Sequence, residues 1–174
     1  MAISCPGGAR AEAFPFFEEF MGPGWPLPGQ LEHYFLGPPE QCWPSEDGQD
    51  CWGLSALGAD GTEHLQEGKG RVDIRLTMVG NPYHGVFLFY RKYGGGNDES
   101  YYSRGNLKRL REWVETVDGD LLTVGLFIPF ETAWKAVKEF IERDGALPRS
   151  IDWIAERDVP SYACPAGSRD TAEG

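Results

Sequence analysis

From residue 71 onward the chain runs through two hydrophobic periods in turn. Val72, Ile74, Leu76 and Met78 alternate with Asp73, Arg75 and Thr77, the period of two that marks a strand with one buried face. Residues 80–85 (GNPYHG) read as a turn. Residues 86–93 (VFLFYRKY) follow, dense enough in aromatic and aliphatic side chains to predict a central strand covered on both faces. The glycine-rich run 94–98 supplies the next turn, and residues 100–103 a short third strand.

The period of 3.6 takes over twice. In residues 106–117 (NLKRLREWVETV), Asn106 reads as an N-cap, and Leu107, Leu110, Trp113, Val114 and Val117 share one side of a predicted helix. Between residues 129 and 145, Phe130, Ala133, Trp134, Val137, Phe140 and Ile141 gather on one face, with Lys135, Lys138, Glu139, Glu142 and Arg143 on the other. Pro129 suits the first turn, where its missing N–H is not needed, and Gly145 with Pro148 marks the end. The apolar stretch 121–128 leads into this helix as partial strand, and residues 150–155 (SIDWIA) predict a closing strand. The small polar residues from Ala166 predict a flexible tail over 166–174.

Before residue 71 the pattern is broken. Residues 14–20 (FPFFEEF) suit a short helix or an aromatic plug, and residues 31–36 (LEHYFL) a short strand or one helical turn. The punctuation of Pro23, Gly24, Pro28, Gly29, Gly37, Pro38 and Pro39 leaves no room for longer elements. Residues 41–53 (QCWPSEDGQDCWG) set two Cys-Trp pairs around an acidic turn, which reads as a hairpin or a loop pinned by its tryptophans. The expected architecture is one α+β domain over residues 1–165. Its antiparallel sheet has about four to six strands packed against two main helices, with an acidic, loop-rich part (1–70) and a regular core (71–160).

Composition adds limits. A compact chain of 174 residues removes about 70% of its unfolded surface from water, so it can stand without metal or disulfide. No apolar run reaches the roughly 20 residues that cross a bilayer, and the first residues lack the basic start and apolar core of an export signal. A cytoplasmic protein with no membrane partner is expected. The net charge of −11 is lopsided: residues 1–70 hold Arg10 and Lys69 against eleven carboxylates. Such a field repels phosphate backbones and steers a basic protein partner, so nucleic acid is not an expected partner.

Candidate chemistry was sought and largely eliminated. Cys42 and Cys51, with eight residues between them, do not form a CxxC motif, and His33, His64 and His84 are scattered, which argues against zinc. The expected state is free thiols, although a loop of that length can also close as a disulfide. The glycine turn at 94–96 is followed by Asn97, Asp98 and Glu99 rather than by a phosphate-loop lysine. His84 beside Tyr83 and Asn81 offers a general base only if the turn is enclosed, and Cys51 beside Asp50 lacks anything to lower its pKa. The expectation is no enzyme and no cofactor.

The run GLFIPFETAWKAVKEFIERDGALPRSIDWI resembles the C-terminal part of immunity protein family one of bacterial polymorphic toxin systems. The matching positions are Ile128, Pro129, Ala133, Phe140, Gly145, Pro148 and Trp153, and the stretches VDIRLTMV and GVFLFYRKY resemble that family's central hairpin. The resemblance covers roughly residues 70–160 and implies a protein that binds a toxin domain, often a nucleic-acid deaminase, and occludes its active site. On that reading Glu46, Asp47 and Asp50 stand in for phosphates, and Trp43 or Trp52 is an apolar anchor, core packing being the alternative for both tryptophans. Two other readings stay open: a small enzyme or ligand-binding protein whose site is assembled from dispersed residues, and an interaction module with no toxin.

Overall fold

The computed structural model describes residues 12–16, 24–44 and 48–163. In chain order they form β1 (Glu12–Phe16), α1 (Pro28–Leu36), α2 (Pro39–Cys42), β2 (Cys51–Ala59), β3 (Val72–Asn81), β4 (Gly85–Gly94), β5 (Asn97–Ser103), β6 (Trp113–Glu115), β7 (Leu121–Thr123), β8 (Phe127–Ile128), α3 (Phe130–Glu142) and β9 (Trp153–Ala155). Seven strands make one antiparallel sheet, in the order β1-β2-β3-β4-β5-β9, with β8 paired to the start of β4. β6 and β7 form a separate hairpin. The protein is α+β, and its sheet has one strand more than the upper count expected from the pattern.

Both main helices, α1 and α3, lie on one face of the sheet. Leu31, Tyr34 and Phe35 of α1 and Ala133, Trp134, Val137 and Phe140 of α3 share a core with Leu54, Ile74, Leu76, Met78 and Leu88. The period of two in β3 and of 3.6 in α3 therefore point at each other. Phe35 stacks on Trp134 with ring centres 5.4 Å apart, which locks the two helices together. Beyond α3, Gly145 adopts a left-handed φ of +90°, and its carbonyl accepts from the Tyr90 hydroxyl at 3.1 Å. That bond ties the helix exit to the central strand. Burial raises the pKa of this phenol, so it stays a donor.

The first seventy residues carry more regular structure than their punctuation suggests. Residues 31–36 belong to α1, which starts at Pro28, in the position where a missing N–H costs nothing, while the Gln30 side chain accepts from the Leu27 N–H at 2.8 Å. Of residues 14–20, those up to Phe16 are strand β1, and the rest lie outside the described residues. Residues 41–53 are neither hairpin nor simple loop. They hold the end of α2 and the start of β2, with residues 45–47 outside the described residues.

The predicted helix over 106–117 does not form. Asn106 does cap a turn, accepting from the Lys108 N–H at 3.1 Å, but the turn is a single 3₁₀ segment, Leu107–Arg109. The backbone then pairs as β6 with β7 around a Gly119 whose φ of +88° closes the hairpin. This arrangement buries Leu110, with Leu107, Val114 and Leu122 partly buried beside it, against Val79, Phe87 and Phe127 on the far face of the sheet. A helix would instead have turned Trp113 and Val117 inward with Leu110. Both are exposed here, at 42% and 55%. Among the described residues no helix is long and apolar enough to cross a membrane.

Candidate functional site

The five residues singled out as a partner site part company in the structure. Trp43 is fully buried, its indole N–H donating 2.7 Å to the Tyr34 carbonyl and its ring lying between Phe35 and Phe130. Trp52 points from β2 into the same core and is 5% exposed. Both tryptophans are core residues, so neither reaches a partner as an anchor. Glu46 and Asp47 lie outside the described residues.

Asp50 is also buried, at 8% exposure, and its position is the informative one. Its carboxylate accepts from the Val117 N–H at 3.0 Å, reaching the tip of the β6–β7 hairpin, and its own carbonyl accepts from Gly80 N–H at 3.0 Å. Asp118 and Asp120 flank that tip. Desolvation raises the Asp50 pKa, and the charges of Asp118 and Asp120 push it the same way against the Val117 hydrogen bond. Asp50 is thus brought beside two carboxylates that lie far from it in the chain. Glu115, Asp118 and Asp120 are exposed and have no ion pair among the described residues. Between them Val117 and Leu121 stand 55% and 44% exposed.

The raised pKa of Asp50 has a stability consequence with a definite sign. A carboxyl whose folded pKa lies above its unfolded one favours folding most when protonated, and that contribution is lost as pH rises through the folded value. At neutral pH the charge on Asp50 therefore opposes folding. Asp50→Asn keeps an oxygen for the Val117 N–H without the charge, so it is expected to raise the melting temperature at pH 7 and to leave it unchanged well below pH 4. Thermal unfolding of both proteins across that range is the measurement.

The neighbouring Cys51 is half-buried, and burial together with Asp50 pushes its thiol pKa up, which makes it a poor nucleophile. Cys42 and Cys51 do not form a disulfide with each other. Among the described residues no group of three or more His, Cys, Asp and Glu side chains is placed to hold a metal ion.

A second feature is an open cleft of about 860 Å³ where β4 and β8 begin, beside the N-terminal end of α3. Tyr83, His84, Arg104, Arg149, Asp152 and Phe130 are among its lining residues. Asn81, a possible partner of His84, spends its side-chain oxygen closing the turn, accepting from the N–H groups of Tyr83 at 2.8 Å and His84 at 3.1 Å. Tyr83 is 90% exposed, so this histidine turn is not enclosed. The two arginines come from strand ends and loops that no local motif links. No protein-family model, no curated protein and no solved structure matches this chain.

Proposed function

We propose that the chain is a cytoplasmic immunity protein that binds a basic toxin domain, of the nucleic-acid-deaminase kind, and occludes its active site. One observation carries the reading: Asp50, Asp118 and Asp120 meet at the β6–β7 tip beside the exposed Val117 and Leu121. Carboxylates without counter-ions attract a cleft built for phosphates, and apolar side chains among them supply a desolvated centre. The buried charge of Asp50 supports this further, because a chain selected for stability alone gains by placing an amide there. The resemblance of residues 70–160 to the immunity family points the same way, through the scaffold and not through the hairpin.

The test is to purify the chain with its bound partner from its native host and to measure the affinity of the isolated one-to-one complex. Reversing Asp118 and Asp120 to lysine is expected to weaken binding by about a hundredfold or more and to flatten its salt dependence. Unchanged affinity and salt slope would remove the hairpin from the interface and sink the placement.

A second reading, a ligand-binding protein, is favoured by one feature, the gathering of Arg104, Arg149 and His84 around a single cleft. An anionic ligand is the class it fits. The two readings separate on the same variant, since reversal at the hairpin tip leaves a ligand in that cleft untouched.

A further inference from the structure

The described residues cover only part of the face of the sheet turned away from α1 and α3. Residues 107–126 and 153–163 close its lower end over Val79 and Phe87. Above that cover the register lays out three rows of side chains across the strands. They are Gly53–Thr77–Phe89–Tyr102, then Ser55–Arg75–Arg91–Ser100, then Leu57–Asp73–Tyr93–Asp98.

The middle row contains an arrangement that sheet energetics disfavours. Arg75 and Arg91 face each other directly across β3 and β4, and like charges in that relation destabilise a sheet. Both are exposed, and neither has an ion-pair partner among the described residues. The nearby carboxylates do not relieve them: Asp73 is engaged by Arg71, and Asp98 lies one row further at the sheet's edge. The Arg75 guanidinium extends over Gly53, where an added Cβ would sit 3.6 Å from its Nε. Arg91 lies with its guanidinium carbon 5.0 Å from the centre of the Tyr93 ring. Half-buried Phe89 and Tyr102 pack together beside them, ring centres 4.8 Å apart. Two oriented guanidinium forks are therefore set among aromatic rings, and the described residues leave both exposed.

We propose that this face is a docking surface for a carboxylate-rich segment of a protein partner. Arg75 and Arg91 hold its carboxylates, and Phe89 and Tyr93 receive its apolar side chains. Guanidinium forks match carboxylates in plane and spacing, and the unrelieved repulsion between the pair falls away once an anion lies between them. A peptide segment suits the site better than a nucleic acid. The net charge of −11, with Asp98 and Glu99 exposed at the rim, opposes a continuous phosphate backbone far more than a few local carboxylates. This surface shares a face of the sheet with the acidic hairpin but is opposite to it in sign, so the proposal stands whether or not the immunity reading does.

The experiment uses the full chain and two fluorescein-labelled probes of equal charge: a short peptide alternating glutamate and phenylalanine, and an oligothymidylate. Fluorescence anisotropy gives the affinity, and the NMR signals of arginine Nε–H groups locate the contact. The peptide is expected to bind with salt-sensitive affinity and to shift the Arg75 and Arg91 signals. Arg75→Ala with Arg91→Ala is expected to weaken it about a hundredfold, roughly tenfold for each charge-assisted contact, while Arg104→Ala with Arg149→Ala leaves it unchanged. Should the alanine pair unfold, Arg75→Gln with Arg91→Gln serves in its place. The proposal is overturned if the peptide does not bind, if its affinity follows the cleft arginines instead, or if the oligothymidylate binds this face more tightly than the peptide.

Discussion

Trp43→Ala is expected to cost about 3–5 kcal/mol of folding stability, enough to leave the protein largely unfolded at moderate temperature. The indole is fully buried and contacts both main helices through Phe35 of α1 and Phe130 of α3. Its removal leaves a cavity that α1, α2 and β3 cannot close together, and it strips the Tyr34 carbonyl of its 2.7 Å donor. The fit is tight from the other side too. A Cβ on Gly80 would lie 2.1 Å from the Trp43 ring, so this strand glycine is the floor on which the tryptophan sits. Urea unfolding gives the value directly. A loss below about 1 kcal/mol would mean that the ring is not a core element. The result bears on function as well, because a tryptophan of this kind acts on a partner only through the fold it holds together.

The sequence made the core legible where one period ran uninterrupted against one neighbour. Val72 to Met78 and Phe130 to Ile141 bury the faces their spacing implies, and Gly145 takes the left-handed φ of +90° that its place after a helix suggests. Residues 106–117 misled because Leu107, Leu110 and Val114 satisfy a helical period, yet each is drawn separately to an apolar site on the back of the sheet. Tertiary pairing of Trp113–Glu115 with Leu121–Thr123 outweighs a local preference worth only tenths of a kcal/mol per residue. The cover on both faces expected for β4 likewise held only at its start. Val86, Phe87 and Leu88 are covered on both faces, whereas Arg91 and Tyr93 emerge beyond the cover.

The candidate site was legible only in part. Asp50 was visible as a member of an acidic turn, but its partners Asp118 and Asp120 are nearly seventy residues away, and no spacing rule joins them. One signal was available: the run Asp118-Gly119-Asp120 between apolar stretches is a tight-turn pattern, and reading it as a hairpin would have broken the helix and exposed Val117. The tryptophans of the same segment were ambiguous for a physical reason. A large amphipathic ring suits a core and an interface equally, and only burial tells the two apart. The arginine pair on the open face could not be read without register, since Arg75 and Arg91 become neighbours only when β3 and β4 pair as they do.

Arg71→Ala is expected to destabilise the fold clearly at neutral pH, more than the partly exposed position of the arginine suggests. The reason lies in what it leaves behind. Asp73 is 2% exposed and accepts two hydrogen bonds from Arg71, each 2.8 Å, and one from the Gly58 N–H at 3.1 Å. Gly58 sits at the register shift between Leu57 and Ala59, with a φ of +76° and no room for a side chain against Glu63. The carboxylate thus neutralises the arginine and supplies the bulge with the acceptor that the ladder cannot. Without Arg71 the buried carboxylate keeps, among the described residues, the Gly58 N–H as its donor. Replacing both residues, as Arg71→Met with Asp73→Leu, is expected to cost less than Arg71→Ala alone, since no charge is then stranded and only the Gly58 N–H goes unsatisfied. Equal or greater loss in the double variant would show that the bulge, and not the charge, is what the pair protects. Denaturant unfolding of the single and double variants at pH 7 resolves the two contributions.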